Sequence, residues 1–128
     1  MTDKLKAPQM TEKVFLYLTG LTRELRKALQ TKFEHEYKGI LLNTVEPAMR
    51  REVETWINQR DKNTKLTHTR TVTGKGGEVT LDYSGQTKDA DFRLTVNATF
   101  TLAQSQDKTI TYLKNLNVTA EKRDIIIK

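Results

Sequence analysis

Two stretches of alternating apolar and polar residues dominate the second half of the chain. Phe92, Leu94, Val96, Ala98, Phe100 and Leu102 alternate with Arg93, Thr95, Asn97, Thr99 and Thr101. After Gln104-Ser105-Gln106-Asp107 a second alternation runs through Ile110, Tyr112, Leu116 and Val118. A period of two puts successive side chains on opposite faces of a strand, so the two stretches predict a β-hairpin over 92–120. Lys114 breaks the inward set and marks a strand end, a bulge or a site. Upstream, Leu66 and Val72 alternate with Thr67, Thr69, Thr71 and Thr73, and Val79, Leu81 and Tyr83 form a return strand. Gly74-Lys75-Gly76-Gly77 between them supplies residues that adopt positive φ in a tight turn. Ser84 to Ala90 reads as a polar loop, and Ile125-Ile126-Ile127 as a short last strand.

The first half has a helical period. Leu18, Leu21, Leu25, Leu29, Phe33 and Tyr37 recur every three or four residues, opposite Arg23, Glu24, Arg26, Lys27, Lys32 and Glu36. Thr11 is the expected N-cap, Gly20 a point of weakness with Thr22 as a second cap, and Gly39 the stop. Ile40-Leu41-Leu42 reads as a buried connector. A second helix is capped by Asn43 or Thr44, has Pro47 in its first turn, and buries Val45, Met49, Val53, Trp56 and Ile57. The order predicts an α+β fold: an N-terminal helical hairpin packed on one face of a four- to five-stranded antiparallel β-meander. Residues 1–9 lack periodicity and read as a flexible arm. Residues 10–128 read as one domain, with a helical half at 10–62 and a sheet half at 63–128.

Composition narrows the chemistry. Among 128 residues there is no cysteine, so disulfides and thiolate chemistry are excluded. No apolar run approaches the roughly 18 residues of a membrane span, and the expectation is a soluble, cytoplasmic protein without membrane contact. The two histidines, His35 and His68, lack any ligand spacing for a metal, and no cofactor or metal site is expected. Ser84 and Ser105 have no nucleophile-elbow pattern around them, and the glycine turn joins two strands rather than a strand and a helix, so no catalytic residue and no enzyme is expected. Asn97-Ala98-Thr99 and Asn117-Val118-Thr119 match the glycosylation pattern by coincidence of an Asn- and Thr-rich segment.

The net charge is +6, with 22 Lys/Arg and 16 Asp/Glu and no block of like charge. A basic excess favours polyanions. Arg23, Arg26, Lys27, Arg50 and Arg51 on the helices, Lys75 at the hairpin tip and Arg93 on the sheet are the candidate nucleic-acid contacts, made to backbone phosphates. The sheet's outer face is expected to be rich in Thr and Asn. Thr95, Asn97, Thr99, Thr109 and Thr111 are its candidate interface residues, toward another protein or a second copy in a homo-oligomer. Three readings follow: a non-catalytic nucleic-acid-binding accessory protein; a protein–protein assembly or inhibitor module using that face and the open strand edges; and a cone-shaped α+β small-ligand binder, which requires His68, Arg70 and Lys114 to meet in a pocket. Leu18-Thr19-Gly20-Leu21, with Glu24-Leu25 and Leu29, resembles the opening of small phage tail-completion proteins. The resemblance covers these positions alone and places the chain in no family.

Overall fold

The change of hydrophobic period near residue 60 is a change of architecture. The computed structural model describes residues 2–87 and 91–123, with side chains for 15–87 and 91–122. Helix α1 (Thr2–His35) leads through a two-residue strand β1 (Ile40–Leu41) into helix α2 (Leu42–Arg60). Four long strands follow: β2 (Lys65–Thr73), β3 (Glu78–Gln86), β4 (Asp91–Ser105) and β5 (Lys108–Arg123). They form one antiparallel sheet in the order β1-β5-β4-β3-β2, with both helices packed on one face. The α+β class is as the sequence predicts. The fifth strand, however, is β1, paired through Ile40 with Thr111 and Leu41 with Ile110. The predicted strand at Ile125–Ile127 lies outside the described residues.

The predicted stripes build the core. Leu18, Leu21, Leu25, Leu29 and Phe33 of α1 and Val45, Met49, Val53 and Ile57 of α2 are buried against Leu81, Tyr83, Phe92, Leu94, Val96 and Phe100. Burial of these side chains contributes about 1.5–3 kcal/mol each, which outweighs the roughly 1 kcal/mol that Gly20 costs a helix. Helix α1 therefore runs unbroken through Gly20, and Thr22 donates back to the Thr19 carbonyl (3.1 Å) instead of capping a new segment. The helix also begins at Thr2 rather than near Thr11, so residues 2–9 are helical. Pro8 removes one hydrogen bond, to the carbonyl four residues before it, among strong helix formers such as Lys4, Leu5, Lys6 and Ala7. The predicted connector is not buried. Leu41 and Leu42 stand at 36% and 40% exposure, because pairing β1 to the edge of β5 carries them past the end of the core. Helix α2 opens at Leu42 without a side-chain cap, and Pro47 sits in its second turn.

Two bulges correct the predicted faces of the sheet. Between Thr99↔Asn115 and Phe100↔Leu113 the register slips, leaving Lys114 as an extra residue on β5. Between His68↔Tyr83 and Arg70↔Asp82 it slips again at Thr69 on β2. A bulge inverts the facing of every residue beyond it. Leu113 and Thr111 thus turn to the helix side and Tyr112 turns outward. Thr71 and Thr73 turn inward while Arg70 and Val72 turn outward. The turns are tight. Gln106 and Asp107 both have positive φ (51° and 67°), giving the two-residue connection that the twist of paired strands favours. At Gly77 (φ +83°) a β-carbon would stand 2.4 Å from the Phe100 carbonyl oxygen, so only glycine lets the β2–β3 tip lie against β4.

Candidate functional site

On the helix side, α2 presents Glu46, Arg50 and Glu54 at one-turn spacing toward β2 and β3. Arg50 lies between the two carboxylates, its Nε 3.4 Å from Glu54 Oε2 and its Nη1 4.0 Å from Glu46 Oε2. Tyr83, fully buried, donates to Glu54 Oε2 (3.1 Å). Thr71 donates to Glu46 Oε2 (2.8 Å), and His68 Nε2 lies 2.7 Å from the Thr71 hydroxyl oxygen. A hydroxyl has one proton, and Thr71 directs it at Glu46, so His68 must carry its hydrogen on Nε2 and donate. The His68 ring meets Tyr83 edge-on at 5.4 Å. Burial first, then the charge and hydrogen-bond acceptance of Glu54, push the Tyr83 phenol far above its ordinary value, against the opposing pull of Arg50. The phenol is therefore a neutral donor. The network joins α2 to the edge strand, with each member engaging another.

On the outer face, Asp82 is the counterpart. Its carboxylate is 5% exposed, beneath two arginines that are 65% and 52% exposed. Arg70 Nε donates to Oδ2 (2.9 Å), Thr95 to Oδ1 (3.0 Å), and Arg93 Nη2 stands 3.3 Å from Oδ1. Thr69, at the bulge, donates to the Asp82 carbonyl (2.9 Å). Burial raises the Asp82 carboxyl, but the hydrogen bonds from Arg70 and Thr95 and the charge of Arg93 outweigh it and hold the group below the usual carboxylate range. The surrounding side chains are tied to one another as well, with Asn97 Nδ2 donating to Thr80 (2.8 Å) and to Glu78 (3.3 Å).

The sequence-predicted residues do not converge. Arg23, Arg26 and Lys27 are exposed on α1, where Arg26 donates to Gln30 (3.2 Å), and Arg51 is exposed on α2. Arg50 belongs to the carboxylate network, Lys75 to the exposed tip of the β2–β3 turn, and Arg93 to Asp82 on the opposite face of the sheet. Of the five interface candidates, Thr95, Asn97 and Thr99 share the outer face. The Lys114 bulge moves Thr109 and Thr111 to the helix side, where Thr111 is buried and donates to the Ile40 carbonyl (3.2 Å). His68, Arg70 and Lys114 form no common pocket. The two bulges send His68 inward and Arg70 outward, and leave Lys114 exposed.

What the periodicity did not reveal lies at the two ends of the sheet. At one end, a cleft of about 810 Å³ opens between the start of α2 and the tips of both hairpins. Leu41, Leu42, Val79, Leu102 and Thr109 line it, together with Glu46, Glu78, Asp107 and Lys108; Glu46 is held by Thr71 and Arg50, and Glu78 by Asn97. At the other end, Phe15 and Leu16 of α1 are 64% and 62% exposed, and Phe15 lies beside Ala120, Glu121 and Lys122 of β5. One signal was available. Leu16 precedes Leu25 by nine residues, two and a half helical turns, which puts it on the side opposite the buried stripe.

Among the described residues no group of three or more His, Asp or Glu side chains could hold a metal ion, and no helix is long and apolar enough to cross a membrane. Comparison with protein-family models, with curated proteins and with solved structures finds no match.

Proposed function

We propose that this chain is a non-catalytic protein–protein assembly module. The observation that carries the reading is the placement of large apolar side chains in water at both ends of the sheet: Phe15 and Leu16 at one, Leu41, Leu42 and Leu102 at the other. Scattered exposed apolar residues are ordinary, but paired ones beside an open cleft are the usual mark of an interaction site. The polar outer face supports the reading less than expected. Thr95, Asn97 and Thr80 are engaged with Asp82, Glu78 and one another, and the edge strand β2 carries a bulge beside Arg70, a device that discourages edge-to-edge pairing. The test is light scattering on the full chain at about 100 μM, with chemical cross-linking to any protein that co-purifies. A mass fixed at the 14.8 kDa of one chain, with no protein partner, would remove the reading. A second reading, nucleic-acid contact through backbone phosphates, draws on the +6 charge and on Arg23, Lys27 and Arg51, exposed on the helices. It predicts retardation of DNA or RNA in a gel at about 50 mM salt, where phosphate contacts are strongest.

A further inference from the structure

We propose that the groove between α1 and α2 takes single-stranded nucleic acid, with one unstacked base beside Trp56 and backbone phosphates on Arg51, Lys27 and Arg23. This rests on the phosphate-contact reading and gives it a strand type and a place. The groove holds about 310 Å³. Ala28, Leu29 and Trp56 give it an apolar lining, Thr55 and Gln59 bring a hydroxyl and an amide, and Arg51 brings a cation. These are the groups that a base and its phosphate call for: an apolar surface for the ring, hydrogen-bonding groups for its edge, and a positive charge for the backbone. A duplex keeps its bases in the stack and meets only the cations, whereas a single strand can turn a base into the groove.

Charge favours an anion here. Outside the Glu46–Arg50–Glu54 network, residues 15–60 hold seven Lys/Arg against four Glu. All four carboxylates are held within the protein. Glu34 accepts from Gln30 (3.3 Å) and Glu52, which lines the groove, accepts from Tyr37 (2.6 Å). Glu36 pairs with Lys32 (2.7 Å), and Glu24 pairs with Arg60, whose guanidinium lies 5.3 Å from the centre of the Trp56 ring. Among the described residues, no carboxylate stands within ion-pair distance of Arg23, Lys27 or Arg51. Arg23 and Lys27 are one helical turn apart on α1, about 6 Å, and Lys27 adjoins Ala28 of the groove. The outer face of the sheet offers less, because Arg70 and Arg93 are committed to Asp82 and Glu121 stands opposite Arg93.

Trp56 is the chain's one tryptophan, so its fluorescence reports on this groove without a label. The full chain is titrated at about 50 mM salt with oligo(dT) and oligo(U) of about 12 nucleotides, within the span of single-strand binding sites, and with a duplex of equal length. Single strands should change the Trp56 emission in step with their retardation in a gel, and duplex at equal concentration should not displace them. Arg51→Ala should weaken binding about five- to tenfold and make the salt slope shallower by about 0.7, the share of one phosphate contact on a single strand. Thr55→Glu, which sets an anion in the groove, should abolish the emission change. Lys65→Ala removes one positive charge from β2, away from the helices, and should cost about twofold at most. All three positions are exposed, and circular dichroism verifies that the variants fold. If single strands are retarded while the Trp56 emission stays fixed, the groove is not the site and only the phosphate-contact reading survives. The same holds if duplex displaces them at equal concentration, or if Lys65→Ala costs as much as Arg51→Ala. If neither single strand nor duplex is retarded at about 50 mM salt, both fall, and the assembly reading is untouched.

Discussion

Asp82 and Tyr83 are neighbours on β3, point to opposite faces of one sheet, and are both buried, at 3% and 0% exposure. Burial pushes each acid toward its neutral form, yet they end in opposite states. Around Asp82, two arginines and a threonine donate, and their combined effect exceeds the cost of desolvation, so the carboxylate stays charged. Around Tyr83, the nearest partner is an anion, Glu54, which adds to burial and keeps the phenol protonated. Partners, rather than depth, decide which form a buried group takes. The outer face is organised around a permanent charge that needs cations at its rim. The helix side is organised around a neutral ring that belongs to the core and offers one hydrogen bond.

The largest test of this contrast is truncation. Tyr83→Ala removes a whole ring from between α2 and the sheet and should destabilise the fold by about 3–5 kcal/mol, the range for large aromatic-to-alanine changes in cores. Asp82→Asn should cost less, about 1–3 kcal/mol, because Arg70 and Arg93 are already half in water and can resolvate there. Urea denaturation of both variants at neutral pH measures the two costs, and equal costs would abolish the distinction between a packed group and a bridged one. Asp82 also carries a pH signature. Its folded-state pKa is lowered, so its contribution is present above the ordinary carboxylate value of about 3.9 and is lost as pH falls through the lower folded value. The natural chain should therefore lose more stability than Asp82→Asn between about pH 5 and pH 2.

This division between faces was only half visible in the sequence. Periodicity found the stripe from Leu18 to Phe33, the stripe from Val45 to Ile57 and the inward residues from Phe92 to Phe100, because core burial imposes a fixed repeat. It failed wherever the repeat itself slips. Thr69 and Lys114 are single extra residues, and one extra residue transfers everything beyond it to the other face. Leu113, apolar among outward positions, and Arg70, charged among inward ones, were the traces of those slips. Asp82 carried no such trace, since a lone aspartate in a strand looks like any solvated one. Its importance comes from Arg70 and Arg93, which are brought to it by pairing with β2 and β4. The exposed cleft was hidden for the opposite reason: Leu102 keeps the inward phase but extends past the end of the helices that would cover it.

A smaller change isolates the hydrogen bond of Tyr83 from its packing. Tyr83→Phe keeps the ring and removes only the donor to Glu54, whose carboxylate is 40% exposed and can turn to water. The expected cost at neutral pH is about 0.5–1.5 kcal/mol. At high pH the sign reverses. The folded phenol resists ionisation while the unfolded one ionises near its ordinary value of about 10, so the natural chain should lose stability as pH rises above that value. Tyr83→Phe should lose less, and chemical denaturation at about pH 9 and pH 11 reads the difference. Parallel curves would mean that the phenol ionises as easily in the fold as out of it.

The smallest effects belong to the arginines, and they test whether Asp82 depends on both. Arg70→Ala or Arg93→Ala alone should cost less than about 1 kcal/mol, as for other exposed ion pairs, because the second guanidinium and Thr95 still serve the carboxylate. With both removed, Asp82 keeps one neutral donor in a buried position. The double variant should then exceed the sum of the singles by about 0.5–1 kcal/mol, and the Asp82 carboxyl, followed by NMR titration, should move above the usual carboxylate range once burial acts without the opposing cations. Strict additivity, with no upward movement of Asp82, would mean that the arginines merely lie over the carboxylate, and that Thr95 and the backbone of β3 hold its charge.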